Sequence, residues 1–153
     1  MFVKTSLEIP YGLPAVRSQL LASVQSWLQP LLMETQARSH ALQEEVGLAY
    51  VSRPGAVHVE IEQCQVEERV VSIPFRVWLE GWEGQWPTFD SGLVAAWLGD
   101  RTTQLVLASQ YAPPALLGRS EQTLLHRVVE ASSRDFLEGV AEELRRRLGP
   151  VED

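Results

Sequence analysis

The chain has 153 residues, of which 45% are hydrophobic and 22% are charged, and its formal net charge is −7. This length fits one domain with a core of its own, and the composition excludes an intrinsically disordered chain. The negative charge argues against nucleic-acid binding through bulk electrostatics, because phosphate groups repel such a surface. We therefore expect a single domain over residues 1–153 that does not bind nucleic acid.

Cysteine usage and hydropathy bear on the compartment. Cys64 is the only cysteine, which excludes an intramolecular disulfide and fits a reducing environment. The first residues lack the continuous apolar segment of a signal peptide. The longest apolar run, Leu93–Leu98, is far shorter than the ~20 residues that cross a membrane. We expect a cytoplasmic protein without a membrane span.

The chain begins with an alternation of period two over residues 3–9, which predicts a half-buried strand. Its inward row is Val3, Thr5, Leu7 and Ile9. A helix should follow from Pro14, because proline suits the first turn of a helix. Its apolar stripe continues to Leu31, and Pro30 should end or kink it.

A second, short helix is predicted from Met33 to about Glu45, and Gly47 would stop it. Apolar residues recur in this segment at helical spacing, so we expect them on its inward face. They are Met33, Ala37, Ala41, Leu42 and Val46. The two helices would close one end of the domain.

From Gly47 to Tyr111 the chain predicts short strands joined by tight turns, and therefore an antiparallel sheet. A strand over Gly47–Ser52 precedes a turn at residues 53–55, and the next strand has Val57, Val59 and Ile61 on one face. Pro74 places the following strand at an edge or a bulge, and Leu93–Leu98 is expected to be covered on both faces. Two further inward rows are Val71, Ile73, Phe75, Val77 and Leu79, and Thr103, Leu105, Leu107, Ser109 and Tyr111.

Ser120 is the predicted N-cap of a long final helix that runs to about Leu148 and ends at Gly149-Pro150. Apolar residues form a stripe along this helix, from Leu125 to Leu144. A sheet with one wet face must bury the other, and this helix is the long apolar element that follows the strands. We predict an α+β fold in which a curved antiparallel sheet wraps around the C-terminal helix, with two short helices after the first strand.

Several segments resemble those of bacterial START-like proteins, the helix-grip or SRPBCC superfamily. Residues 69–78 (RVVSIPFRVW) resemble a strand of that family, and residues 103–114 (TQLVLASQYAPP) resemble its last strand and exit. Residues 125–130 (LHRVVE) and 136–141 (FLEGVA) resemble its gripping helix. The resemblance implies a cavity between sheet and helix. Lipid and sterol carriers, polyketide cyclases and aromatases, and co-chaperone modules share this fold, so it does not choose a function.

Three functions stay open. The first is a module that binds a hydrophobic small molecule in the cavity, without a cofactor. The second is an enzyme of the polyketide cyclase or aromatase type, which we disfavour because no inward acid–base pair is evident. The third is a protein-interaction module with a filled core. The candidate ligand-binding residues are Val71, Ile73, Phe75, Val77, Trp97, Leu105, Leu107, Tyr111, Ser132 and Phe136.

Ser132 interrupts the apolar stripe of the final helix. It leaves either a pocket, or close packing of helix on sheet with the hydroxyl bonded to its own backbone. Tyr111 and Trp97 either line that pocket or belong to the core. His126 lies off the stripe, and we interpret it as a helix-surface residue rather than an acid or base.

The tryptophan-rich segment from Trp78 to Trp86 allows two interpretations. Trp82 and Trp86 either cover the end of a hairpin, or a contact surface forms there. That surface would consist of Arg76, Trp78, Glu80 and Trp82, and it predicts a homodimer. The histidines and the cysteine are dispersed and have no metal-ligand spacing, so no metal site is expected.

Overall fold

The structure is a computed structural model that describes residues 1–48, 56–80, 87–115 and 117–150. Most of the predicted strand Gly47–Ser52, the turn at residues 53–55, Trp82 and Trp86 lie outside the described residues. Six strands and three helices are present in the part that is described. In chain order they are β1 (Phe2–Ile9), α1 (Leu13–Leu21), α2 (Val24–Glu45), β2 (Val57–Ile61), β3 (Gln65–Val66), β4 (Val70–Leu79), β5 (Phe89–Gly99), β6 (Thr102–Gln110) and α3 (Arg119–Leu148).

The strands form one curved antiparallel sheet in the order β1-β6-β5-β4-β2, and the short β3 pairs with β4 beyond the end of β2. β1 pairs with β6 along its whole length, from Phe2 opposite Gln110 to Ile9 opposite Thr103. The two helices before β2 and the long helix after β6 complete the architecture. The predicted α+β fold, with a curved antiparallel sheet and a long C-terminal helix, is confirmed.

Pro74 lies where the strand beside β4 is interrupted. β2 ends at Ile61 and β3 begins at Gln65, so no regular ladder faces Pro74 on that side. The N–H of Glu62 donates to the carbonyl of Pro74 at 2.9 Å, which uses the acceptor that proline retains. The irregularity that the proline predicts is therefore present in the sheet.

One side of the sheet faces the helices and carries the predicted apolar rows. Its fully buried residues include Val71, Ile73, Leu93, Ala95 and Leu105. β5 departs from the prediction, because Trp97 is 40% exposed and Leu98 is 46% exposed. Trp97 still pairs with Thr103, and a register shift follows between Trp97 and Gly99 at the end of the strand. The prediction that Leu93–Leu98 is covered on both faces is wrong for these last residues.

The final helix α3 packs against β1 and α2 on the helix-facing side of the sheet. Its buried stripe is Leu125, Val128, Val129, Ser133, Phe136, Leu137, Val140, Ala141 and Leu144. Gly149 ends the helix as predicted: it has φ +80°, and its N–H donates to the carbonyl of Arg145 at 2.9 Å. None of the described helices combines the length and the apolar character that crossing a bilayer requires.

The first turn of α3 begins earlier than predicted. Gly118 occupies the N-cap position with an extended backbone, and the N–H of Gly118 donates to the carboxylate of Glu121 at 3.4 Å. Ser120 is exposed within the first turn, so the prediction that it caps the helix is wrong. A cap residue must have non-helical backbone angles, and Ser120 already lies inside the helix.

The break between the first two helices lies at Ala22–Ser23 and not near Pro30. Ser23 adopts the left-handed conformation (φ 52°), while Pro30 lies inside α2. An internal proline costs about 3 kcal/mol, and burial of Trp27 and Leu28 beside it contributes about 1.5–3 kcal/mol for each side chain. The predicted boundary, and the prediction that both helices are short, are therefore wrong: α2 has 22 residues.

The buried face of α2 is also different from the predicted one. Met33 is 53% exposed and Val46 is 37% exposed, and Ala37 and Ala41 are exposed as well. The residues that lie inside are Thr35, Ser39 and Gln43. Because α2 is one continuous helix, the phase of the buried Leu28 is carried forward to these polar positions. The second half of α2 therefore turns polar side chains inward, and of the predicted inward residues only Leu42 packs against the core, where it is partly buried.

Candidate functional site

A cavity of about 90 Å³ lies between the helix-facing side of the sheet and the helices α2 and α3. It is partly open to solvent, and at ~30 Å³ for each water it has room for about three water molecules. The residues that line it are Leu32, Thr35, Gln36, Ser39, Phe75, Val77, Phe89, Ser91, Leu107, Ser109, Val129, Ser132, Ser133 and Phe136.

Five of the ten candidate ligand-binding residues line this cavity, namely Phe75, Val77, Leu107, Ser132 and Phe136. Three others, Val71, Ile73 and Leu105, do not line the cavity. They are fully buried in the apolar cluster to which Phe75, Leu107 and Phe136 also belong. The structure thus brings together the candidates from the middle of β4, β6 and α3.

Tyr111 and Trp97 do not line the cavity. Tyr111 is buried in a second apolar cluster with residues of β1, β4 and α3. Trp97 is half-exposed, and the guanidinium carbon of Arg69 lies 4.7 Å from the centroid of one of its rings. Tyr111 comes after the end of β6, beyond the lining residue Ser109. Trp97 is near the irregular end of β5, far along the strand from the lining residue Ser91.

Aromatic and aliphatic side chains form most of the sheet wall of the cavity, and Phe136 of α3 packs against them. Phe75 of β4 and Phe136 of α3 face each other with ring centroids 6.1 Å apart and an interplanar angle of 50°. Val77 and Leu107 line the same wall from β4 and β6. Such a surface favours an apolar body in a bound molecule, because burial removes apolar area from water on both partners.

The helices contribute most of the polar side chains of the cavity, and three of their polar atoms have no hydrogen-bond partner. These are the hydroxyl oxygen Oγ1 of Thr35, the amide nitrogen Nε2 of Gln36 and the hydroxyl oxygen Oγ of Ser132. Thr35 is only 7% exposed. Buried polar groups in folded proteins almost always have partners, so three unpartnered groups around one cavity point to a bound molecule or ordered water. The hydroxyl of Ser132 is therefore not bonded to its own backbone, and the residue lines the cavity.

Two further pairs of side chains add hydrogen-bonding capacity. The hydroxyls of Ser91 and Ser109 lie 2.8 Å apart on neighbouring strands, and Nε2 of Gln43 donates to Oγ of Ser39 at 3.2 Å. In the serine pair one hydroxyl donates to the other, which leaves one hydrogen free. Ser39 accepts from Gln43 and likewise keeps its own hydrogen. The cavity therefore has several unused donors.

Sequence reasoning missed the polar residues that α2 contributes. Thr35, Gln36 and Ser39 were not candidates, because the pattern from Met33 to Val46 placed them outside. The signal that would have found them is the spacing from the apolar anchors Leu28 and Leu32. Continued through Pro30 as a single helix, this spacing brings Thr35 and Ser39 onto the inward face.

An ion pair on the outside joins the two helices that contribute most of the polar side chains. Nε of Arg38 on α2 lies 2.7 Å from the carboxylate of Asp135 on α3. Both residues are adjacent in sequence to cavity residues, Ser39 and Phe136. The side chains that line the cavity, among those described, carry no ionisable group. The electrostatics of the cavity are therefore set by hydroxyl and amide dipoles.

His126 has a partner that the sequence did not reveal. Its Nδ1 lies 2.7 Å from the hydroxyl of Tyr111, and its Nε2 lies 3.5 Å from a carboxylate oxygen of Glu130. The ring of Tyr111 is 5.3 Å from that of Phe89, which lines the cavity. The histidine is partly buried, so the interpretation of it as a plain helix-surface residue is incomplete.

Three of the four residues of the predicted contact surface, Arg76, Trp78 and Glu80, are among the described residues. Arg76 pairs with Asp90 at 2.8 Å, and the hydrogen bond from Arg76 to this carboxylate raises the pKa of its guanidinium. Trp78 stacks on His58 with ring centroids 5.6 Å apart, and His58 contacts Glu80 at 3.0 Å. These three candidates thus have partners within the chain, on the outward side and edge of the sheet.

A larger open groove lies elsewhere, along Met1-Phe2 and residues 110–115, with a volume of about 880 Å³. Both spaces are partly open to solvent, but the smaller one lies between the sheet and the helices α2 and α3. The unpartnered polar atoms Thr35 Oγ1, Gln36 Nε2 and Ser132 Oγ belong to the interior cavity. We therefore take the interior cavity as the candidate site. Within the described ranges no three metal-ligating side chains cluster.

Comparison with known proteins supports the fold. No protein-family model and no curated protein sequence matches the chain. A hypothetical protein of Helicobacter pylori is similar in structure with a TM-score of 0.54 and 12% identity, covering 95% of this chain and 88% of the other. A conserved protein of Geobacillus kaustophilus has a TM-score of 0.54 and 14% identity, covering 95% and 96%.

A third solved structure is less similar to this chain. It is an aromatase/cyclase of a Streptomyces species, with a TM-score of 0.44 and 16% identity over 97% of this chain and 96% of the other. The comparisons thus support the architecture, an antiparallel sheet with a long C-terminal helix, and leave the function to the site itself.

Proposed function

We propose that this protein is a START-like domain that binds a small hydrophobic molecule in the cavity between its sheet and the helices α2 and α3. The observation that carries the proposal is the combination of an apolar sheet wall with three unpartnered polar atoms, on Thr35, Gln36 and Ser132. A domain that needed only a stable core would gain by filling this space with aliphatic side chains.

The size of the cavity limits what it can hold. About 90 Å³ is below the 300–1,000 Å³ that is usual for sites of drug-sized ligands. The bound molecule is therefore a small ring or the end of a longer chain that extends into solvent. This size, together with dipolar rather than charged lining groups, supports binding more than cyclisation of a long polyketide chain.

Native mass spectrometry of the protein purified from cells tests this proposal. We expect a noncovalent mass increment that is lost on gentle collisional activation. Ser132→Leu places an apolar side chain into the cavity and should abolish the increment. Ser120→Leu, the same change at an exposed site of α3, should leave it intact.

Two results would count against a binding function. One is wild-type protein without an increment that also fails to bind cyclopentane and cyclopentanone, two small probes with one ring. The other is an increment that persists unchanged in Ser132→Leu, because the ligand would then lie elsewhere.

A further inference from the structure

We infer that the cavity selects an uncharged ligand whose carbonyl or hydroxyl oxygen accepts hydrogen bonds from one turn of α2. This inference rests on the proposed function and names the chemistry of its ligand. The residues that would bind the oxygen are Thr35, Gln36 and Ser39, with Ser132 of α3 beside them.

The donors converge because of their spacing on α2. Thr35 and Ser39 are four residues apart and share one face of the helix, and Gln36 adjoins them. Each of the three lines the same cavity. Thr35 and Ser39 are both 7% exposed, so their hydroxyls point into the protein rather than into water.

The free groups of this turn are donors. Nε2 of Gln36 has no partner, and an amide nitrogen can only donate. Ser39 already accepts from Gln43, so its own hydrogen remains to be donated. Thr35 has an unpartnered hydroxyl that donates to any acceptor within reach. A ligand oxygen with two lone pairs is complementary to this set, whereas a ligand without an acceptor leaves the donors unsatisfied.

Charge complementarity excludes ionised ligands. None of the described lining side chains is a Lys, Arg, His, Asp or Glu residue. The nearby Arg38 and Asp135 pair with each other on the surface at 2.7 Å. A carboxylate or ammonium group in the cavity would therefore lose its hydration without gaining a counter-ion, which is unfavourable.

A set of four probes with one ring tests this inference: cyclopentane, cyclopentanone, cyclopentanecarboxylate and cyclopentylammonium. Affinities are measured by titration against the ¹⁵N-labelled full chain, followed through the amide signals of residues 32–39 and 129–136. We expect cyclopentanone to bind at least tenfold more tightly than either ion, because the ions must be desolvated.

Substitution of one donor separates hydrogen bonding from general apolar binding. Gln36→Leu should weaken the binding of cyclopentanone roughly fivefold and should leave that of cyclopentane equal or tighter, since one hydrogen bond contributes about 1 kcal/mol. Gln25→Leu is the matched control: the same change on the same helix, at an exposed site away from the cavity.

The outcomes distinguish the two proposals. If no probe binds and the wild type carries no native mass increment, the proposed function fails; if no probe binds although the increment is present, the inference about the ligand oxygen is wrong. If cyclopentane and cyclopentanone bind but respond alike to Gln36→Leu, the cavity is a site whose donors are satisfied by water alone, and the inference about the ligand oxygen is wrong. The inference is also wrong if cyclopentanecarboxylate binds as tightly as cyclopentanone or more tightly.

Discussion

At the scale of single residues, the structure separates buried hydroxyls that hold the fold from those that face the cavity. Thr103 is fully buried, and its Oγ1 donates to the carbonyl of Tyr11 at 2.7 Å. Thr35 is almost as buried, but its Oγ1 has no partner. The same residue type therefore has opposite energetic roles in β6 and α2.

This contrast predicts opposite effects of one substitution. Thr103→Val removes a buried hydrogen bond and leaves a carbonyl unsatisfied, so it should lower the free energy of unfolding by about 1–3 kcal/mol. Thr35→Val replaces an unpartnered hydroxyl with a methyl group and should leave the free energy of unfolding unchanged or raise it by about 1 kcal/mol. Urea unfolding of both variants measures the difference. A loss for Thr35→Val as large as that for Thr103→Val would contradict the assignment.

The sheet–helix junction at Gly12 gives a second prediction, at the scale of the element. A Cβ atom at Gly12 would lie 2.6 Å from the backbone oxygen of Asp100, which the chain cannot easily move. Gly12→Ala should therefore lower the free energy of unfolding by about 1–3 kcal/mol. Gly92→Ala is the control, because no heavy atom beyond its two chain neighbours lies within 4 Å of its Cβ position, and its effect should be within about 0.5 kcal/mol.

The C-terminal turn of α3 gives a prediction about pH. Hydrogen bonds from Arg146 and Arg147 lower the pKa of Glu143 from its ordinary value of 4.5 to about 2. Because the folded pKa is depressed, this stabilisation is complete above about pH 5 and is lost as the pH falls towards 2. Glu143→Gln should therefore lower the free energy of unfolding at pH 7. The loss should be at most about 1 kcal/mol, since Glu143 and its arginine partners are on the surface.

Unfolding measured at intervals between pH 7 and pH 3 checks this prediction. The difference between wild type and Glu143→Gln should shrink as the pH falls. A difference that stays constant would show that the carboxylate contributes through packing and not through its charge.

The elements themselves differ in how far they can be predicted. The strands alternate strictly between apolar and polar faces. Inward rows, such as Ile73 with Phe75 and Leu105 with Leu107, therefore follow from the sequence. The phase of α2 does not follow from local pattern, because the apolar residues after Met33 suggest one face and the core anchors before Pro30 impose another. Burial of Leu28 decides the phase, and a window that begins after Pro30 does not contain this residue.

The candidate site was predictable only where it belongs to the regular strands and to the stripe of α3. Phe75, Val77, Leu107 and Phe136 were identified because cavity walls and core rows share one face of each element. Ser132 was identified because it interrupts the stripe of α3, but the polar residues of α2 were missed, since buried hydroxyl and amide side chains contradict the usual pattern that sequence reasoning uses. Sites of function are often where that pattern fails.

At the scale of the whole molecule, the homodimer stays a prediction. Trp78 stacks on His58 at the outward side of the sheet, where Arg76 and Glu80 also lie. If this surface joins two copies, sedimentation velocity should give a dimer for the wild type and a monomer for Trp78→Ala. A wild-type monomer, or a dimer that is unaffected by Trp78→Ala, would exclude this surface as the interface.

The central claim is that the space between the sheet and the helices α2 and α3 holds a small, uncharged molecule. The most direct test is the measurement of intermolecular nuclear Overhauser effects between cyclopentanone and the protein. We predict contacts from the ligand to the methyl groups of Val77, Leu107 and Thr35. Contacts only to the open groove beside Met1-Phe2, or to the outward side of the sheet, would contradict the account.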